Sequence, residues 1–393
     1  MIIDCDTHFF PKNAFAFLEG ELASKAPRLK LDEAGHLADI EFPGAPPRVP
    51  GSTPLPAPGS GARYDGNNDM AVRLADYDRL GIDKQLILPQ FTAWWSYLVD
   101  PALGSALAHS WNLSILELMD AHPEEVHGVA LVALQDVEGF IREMEWAADQ
   151  GFVAVVLDHT YPVREHPYGT PLATHREAWP FFARCEEMDM PIFLHAVQHG
   201  HRIVNLLNFQ RDGLDFFSPT EAQMNLVAMI TTGLLDAHPE LRIIHAEMGT
   251  KHIKPLAQRL DNRYKRVKPD YEDDEGVSPV MRRKPTLRPE LQLVTPEEAV
   301  EKNAQTPSHY FRKNFYWTIE TEEPELAEAI AFVGADRFLF ATDYPHDDPG
   351  GAMKFKDVQL LASSDLFTEE EKEMMRWKNA VNLFKLGERV GAR

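Results

Sequence analysis

Eight short, largely apolar runs punctuate the chain: Ile2–Cys5, Gln85–Leu88, Gly128–Leu134, Phe152–Leu157, Ile192–Leu194, Arg242–Ile244, Phe315–Thr318 and Phe338–Phe340. Between them lie segments with amphipathic helical spacing, among them Asp69–Leu80, Leu103–Ala121, Val137–Gln150 and Thr220–Ala237. Runs that are apolar on both faces belong in a parallel sheet covered by helices, because a half-exposed strand would alternate apolar and polar residues. Eight strand–helix repeats predict an α/β fold closed into a (β/α)8 TIM barrel. No glycine-rich dinucleotide fingerprint follows the first strand, which argues against an open doubly wound sheet.

Two segments break this rhythm. Residues 43–68 are crowded with Pro, Gly and Ser, and the stretch from about 12 to 68 reads as an excursion after the first strand. Residues 265–312, after the sixth strand–helix unit, are charged and proline-rich. Within them Thr295-Pro296-Glu297-Glu298 has the form of a capped helix start. A second capping signal, Thr368-Glu369-Glu370-Glu371, opens the final helix. The chain therefore reads as a single domain, 1–393, carrying two insertions. A connection as long as 265–312 serves as a lid or an interface or is disordered, and a homodimer is the assembly expected from the prevalence of two-fold symmetry.

Composition narrows the partners. Sixty-one acidic against 39 basic residues give a formal charge of −22, a field that repels phosphate backbones and excludes nucleic acid as the expected partner. The two cysteines, Cys5 and Cys185, cannot build a disulfide framework and read as small buried residues in a reducing compartment. The N-terminus has neither a basic region nor a long apolar stretch, and no run approaches membrane-spanning length. A soluble cytoplasmic protein without membrane contact is the expectation.

Barrels carry their reactive groups at the C-terminal ends of the strands. After the first run come Asp6 and His8, two apart and so on one face of an extended strand, where both could grip one ion. The fifth run ends in His195, the sixth in His245-Ala246-Glu247 and the eighth in Asp343. Singly, each is more often a cap, a turn residue or a satisfied core histidine. Together they would bury several polar groups at one barrel mouth, and a cation supplies the compensation such burial needs. Imidazole and carboxylate donors suit Zn2+, expected first, and also Mn2+ or Fe2+.

The sequence Asp-Cys-Asp-Thr-His at residues 4–8, His195, His245 and Thr-Asp-Tyr-Pro-His at 342–346 resemble the amidohydrolase superfamily. The nearest branch is the one resembling aminocarboxymuconate-semialdehyde decarboxylase. The resemblance spans nearly the whole chain and includes Asp78-Arg79-Leu80-Gly81-Ile82-Asp83 and Arg259-Leu260-Asp261. It implies one divalent metal held by Asp6, His8, His195 and Asp343, with Asp343 also handling protons. It makes His245 the residue that polarises substrate or acts as acid or base. Glu247 follows where relatives often carry glycines. It stands as an added ligand, a partner of His245, a general acid/base or, in another register, the replacement for His245. The fourth run offers no lysine to be modified for a second metal, although Asp158 and His159 follow it.

For a small-molecule substrate, Arg202 and His199 in the loop after the fifth run, Trp94 after the second and His346 beyond Asp343 are the candidate contacts. The expected reaction is hydrolysis of an amide, ester or lactone by metal-activated water, with Asp343, His245 and Glu247 moving protons. The alternative is non-oxidative decarboxylation of a small aromatic or unsaturated acid. A barrel that has lost catalysis and only binds is the third reading, opposed by the full donor set.

Overall fold

The computed structural model describes residues 1–33, 37–41, 43, 65–89, 100–134, 136–157, 171–195, 212–267, 304–319, 321, 323–346 and 355–387. Ten strands occur among them: β1 (Ile3–Phe9), β2 (Arg28–Leu31), β3 (Leu37–Glu41), β4 (Lys84–Pro89), β5 (Val126–Leu131), β6 (Ala154–Leu157), β7 (Ile192–His195), β8 (Ile243–Ala246), β9 (Phe315–Ile319) and β10 (Phe338–Phe340). Eight form one sheet in the order β1-β4-β5-β6-β7-β8-β9-β10, each neighbouring pair parallel. Past β10 the chain meets β1 again. Asp343 N–H donates to Asp6 O at 3.0 Å and His8 N–H to Tyr344 O at 2.7 Å, which closes the barrel.

Nearly every strand residue of the barrel is buried, as the two-sided apolar runs require. The helices follow from their ends. Asp69 accepts from the N–H groups of Ala71 and Val72 and starts the helix Met70–Leu80, which Gly81 stops in the left-handed conformation at φ 73°. Asp100 caps Pro101–Ala121 in the same way. Thr368 and Glu371 form the expected capping box. The single helix expected over 220–237 is two, Asp212–Thr231 and Leu234–Ala237, divided at Gly233 with φ 77°.

The first excursion contains the antiparallel pair β2–β3, which its polar sequence did not announce. The helix Pro307–Lys313 spans the end of the second insertion, and the start foreseen at Thr295 falls outside the described residues. Both cysteines are buried and unlinked. No helix among the described residues is long and apolar enough to cross a membrane.

Candidate functional site

A β-bulge in β1 prepares the site. Asp4 pairs with Gln85 and Thr7 with Ile87, so three steps on β1 match two on β4. The extra residue lets Asp4 and Thr7 both face the helix Met70–Leu80, where they bond Tyr77 and Arg73. Asp6 and His8 are thereby turned into the barrel mouth.

There they meet residues from β7, from the turn after β8 and from the turn after β10. His8 Nε2 lies 3.7 Å from Asp6 Oδ1, 3.4 Å from Glu247 Oε1 and 3.2 Å from Asp343 Oδ1. His195 Nε2 lies 3.4 Å from Asp6 Oδ1 and 3.4 Å from Glu247 Oε1. Two overlapping foursomes, Asp6–His8–His195–Glu247 and His8–Glu247–Asp343–His346, each keep their donor atoms within 4.8 Å of one another. Bonds of about 2.1 Å put adjacent ligands of a tetrahedral or octahedral ion roughly 3.0–3.4 Å apart, so the first foursome fits one such ion. Asp6 Oδ1 is buried without a hydrogen bond, which a cation would satisfy.

The electrostatics point the same way. Burial pushes the Asp343 carboxyl well up, and the neighbouring Glu247 carboxylate adds to it. Burial also opposes the charged form of Glu247, yet the His195 and His8 imidazoles outweigh that and hold it well below the usual range. His195 is raised despite its burial, because Glu247 and Asp6 face it. His346 is half-buried, its Nδ1 2.6 Å from Asp343 Oδ1 and its ring stacked on His8 at 4.5 Å. A small cleft opens here, lined in part by Asp6, Glu247, Gly249, Thr318, Glu323 and Asp343.

His245 is absent from this assembly, against expectation. The parallel register sets Ala246 beside His195, so these two share the interior face, and sets His245 beside Leu194 and Trp317 on the other. The His245 ring lies 5.6 Å from Phe315, which packs on Phe311 of the helix Pro307–Lys313. Alternation alone would send Glu247 outward with it. Instead Glu247 adopts φ 57°, and this left-handed residue swings its carboxylate into the mouth. Of the expected substrate contacts, His346 is at the mouth; Arg202, His199 and Trp94 lie outside the described residues, as do Asp158 and His159.

Two participants escaped the sequence. Thr318, at an interior position of β9, bonds both Asp6 and Glu247. Arg73 is fully buried and donates to His8 O at 2.7 Å, to Gly66 O, and to the side chains of Gln85 and Thr7, with the Tyr344 ring 4.6 Å away. Its signal was available: Met70, Arg73 and Tyr77 fall on one helical stripe, and a cation on a core-facing stripe needs a partner.

Known proteins with similar sequence and shape give the site its context. A gamma-resorcylate decarboxylase from Polaromonas sp. is 24% identical over 331 residues, covering 81% of this chain and 87% of its own length. Further curated relatives from Rhizobium and Rhodococcus have the same name. The crystal structure of a dihydroxybenzoic acid decarboxylase from Polaromonas, with bound manganese and the inhibitor 2-nitroresorcinol, superposes with a TM-score of 0.66 at 21% identity, covering 99% of each chain. A 5-carboxyvanillate decarboxylase from Novosphingobium aromaticivorans, complexed with manganese and a nitrobenzoic acid, gives 0.69 at 21% identity over 98% of this chain and 96% of that one. These relatives correct the expectation of hydrolysis: their named reaction is decarboxylation, the reading placed second from the sequence. Residues 3–386 match the family model described as amidohydrolase, and the chain belongs to that family.

Proposed function

We propose that this chain is a divalent-metal-dependent, non-oxidative decarboxylase of a small aromatic acid bearing a hydroxyl group beside its carboxylate. The observation that carries the reading is the Asp6–His8–His195–Glu247 cluster at the mouth of a barrel whose curated relatives decarboxylate gamma-resorcylate. The substrates named for the solved relatives, a dihydroxybenzoate and a carboxyvanillate, share the hydroxybenzoate core. The single domain spanning 1–393 belongs to the same proposal.

Asp6, His8, His195 and Glu247 would hold the ion; Mn2+ comes first because the solved relatives contain it, and Zn2+ or Fe2+ suits the same donors. When bound, such an ion acts as a Lewis acid toward substrate carboxylate and phenolic oxygens. The described cleft lining is acidic, so without a cation it would repel an anionic substrate.

Asp343 is the proton donor of choice. It lines the cleft outside the proposed ligand set, with His346 Nδ1 2.6 Å from its Oδ1. The proton passes from Asp343 to the ring carbon bearing the carboxylate. The C–CO2 bond then breaks, its electron pair restores the aromatic ring, and CO2 leaves. Solvent returns a proton to Asp343 by way of His346. The net change consumes one proton per CO2 released.

The test is incubation of Mn2+-loaded protein with 2,6-dihydroxybenzoate, 2-hydroxybenzoate and 5-carboxyvanillate in D2O. CO2 release with one deuterium at the vacated ring carbon is the expected result. Absence of CO2 from every acid, with metal bound stoichiometrically, would sink the proposal.

A further inference from the structure

One hydroxyl group joins two of the four proposed ligands. Thr318 sits on β9, 6% exposed, with its side chain at the cleft. Its Oγ1 accepts from Glu247 N–H at 3.3 Å and donates to Asp6 Oδ2 at 3.3 Å. A hydroxyl has a single proton to give, so the two bonds use it in complementary directions.

Each bond sorts something the site needs sorted. On Asp6 it ties down Oδ2 and leaves Oδ1, the oxygen without a hydrogen bond, facing the His8 and His195 imidazoles. On Glu247 it receives the backbone N–H of the first residue past β8, where the ladder has ended. That residue holds φ 57°, a conformation that a side chain other than glycine adopts only when its surroundings impose it. Replacing Thr318 by an apolar residue would free Asp6 to rotate and leave the left-handed turn without this anchor.

We infer that Thr318 is a positioning residue that sets the divalent-metal affinity of the centre by orienting Asp6 and the Glu247 turn. This rests on the reading of the cluster as a metal centre, and it extends that reading to a residue that is not itself a ligand. Partners that orient metal ligands typically alter affinity 10- to 100-fold when removed.

The experiment titrates the full chain, stripped of metal by chelation, with MnCl2 while free Mn2+ is followed by electron paramagnetic resonance. Thr318→Val should bind Mn2+ roughly 10- to 100-fold more weakly than the parent. Thr318→Ser and Thr318→Ala form the second comparison: both lose the methyl group and only serine keeps the hydroxyl. The serine variant should stay within about three-fold of the parent and the alanine variant should match valine, and this pair decides the matter even when valine prevents folding. Equal Mn2+ affinity in the serine and alanine variants overturns the inference while leaving the metal centre standing. A parent protein that takes up no Mn2+ overturns both.

Discussion

Glu247 holds its place in the cluster through one dihedral angle. Strand alternation sends it to the outer face beside His245, and φ 57° returns it to the mouth. The two neighbours should therefore answer substitution in opposite ways. Glu247→Gln removes a charged ligand from between two imidazoles, so Mn2+ affinity should fall by more than about 100-fold while the barrel stays folded. His245→Phe alters a side chain packed against Phe315 and should leave Mn2+ affinity unchanged, shifting denaturation by about 1–2 kcal/mol in either direction. Metal titration paired with urea denaturation checks both. Loss of metal from the His245 variant would mean that its ring reaches the ion. The sequence exposed Asp6, His8, His195 and Asp343 as candidates because polar residues ending apolar runs are visible without coordinates. It could not choose between His245 and Glu247, since that choice is made by a backbone conformation that residue identity does not dictate.

At the level of elements, the site depends on the seam where the barrel closes. Here β1 meets the turn after β10, and Arg73 from the helix Met70–Leu80 fastens them from outside. Its guanidinium holds the carbonyl of His8 and packs against Tyr344, whose hydroxyl bonds Asp76; Tyr77 and Thr342 both bond Asp4. Arg73→Met keeps much of the side-chain volume but leaves the His8 carbonyl, Gln85 and Thr7 without their donor. A loss of about 3–5 kcal/mol is expected in urea unfolding of the metal-free protein. An Arg73→Met protein as stable as the parent would show that the seam holds without its cation. All eight barrel strands were legible in the sequence, because burial on both faces writes itself as unbroken apolar runs. The β2–β3 pair was not: Arg28–Leu31 is largely exposed, so no hydrophobic pattern marks it. Nor was the bulge in β1, because the residues around it are buried on both sides and alternation there has no polar face to betray a slip.

For the molecule as a whole, two buried groups far from each other in kind oppose one another in pH. His127, near the start of β5, is desolvated and faces Lys84, and its pKa is pushed down to about 4. The folded state therefore resists protonating it while the unfolded chain does so near pH 6.5; stability from this source is complete above that value and lost as pH falls toward 4. Asp4 runs the other way. Burial raises its carboxyl to about 7 against the hydrogen bonds from Thr342 and Tyr77, so its folded form keeps a proton that the unfolded chain releases near 3.8. Its contribution is complete below 3.8 and declines as pH rises toward 7. Over the shared window the two slopes have opposite signs, and His252, which burial also pushes down to about 4, adds to the slope of His127. His127→Gln has no proton to gain and removes one slope alone. Measured by urea denaturation of metal-free protein at pH 7 and again near pH 4.5, the difference in stability between variant and parent should move in the variant's favour on acidification, approaching about 3 kcal/mol as pH reaches 4. A difference that stays constant between the two pH values would mean that His127 accepts its proton in the folded barrel as readily as in the open chain.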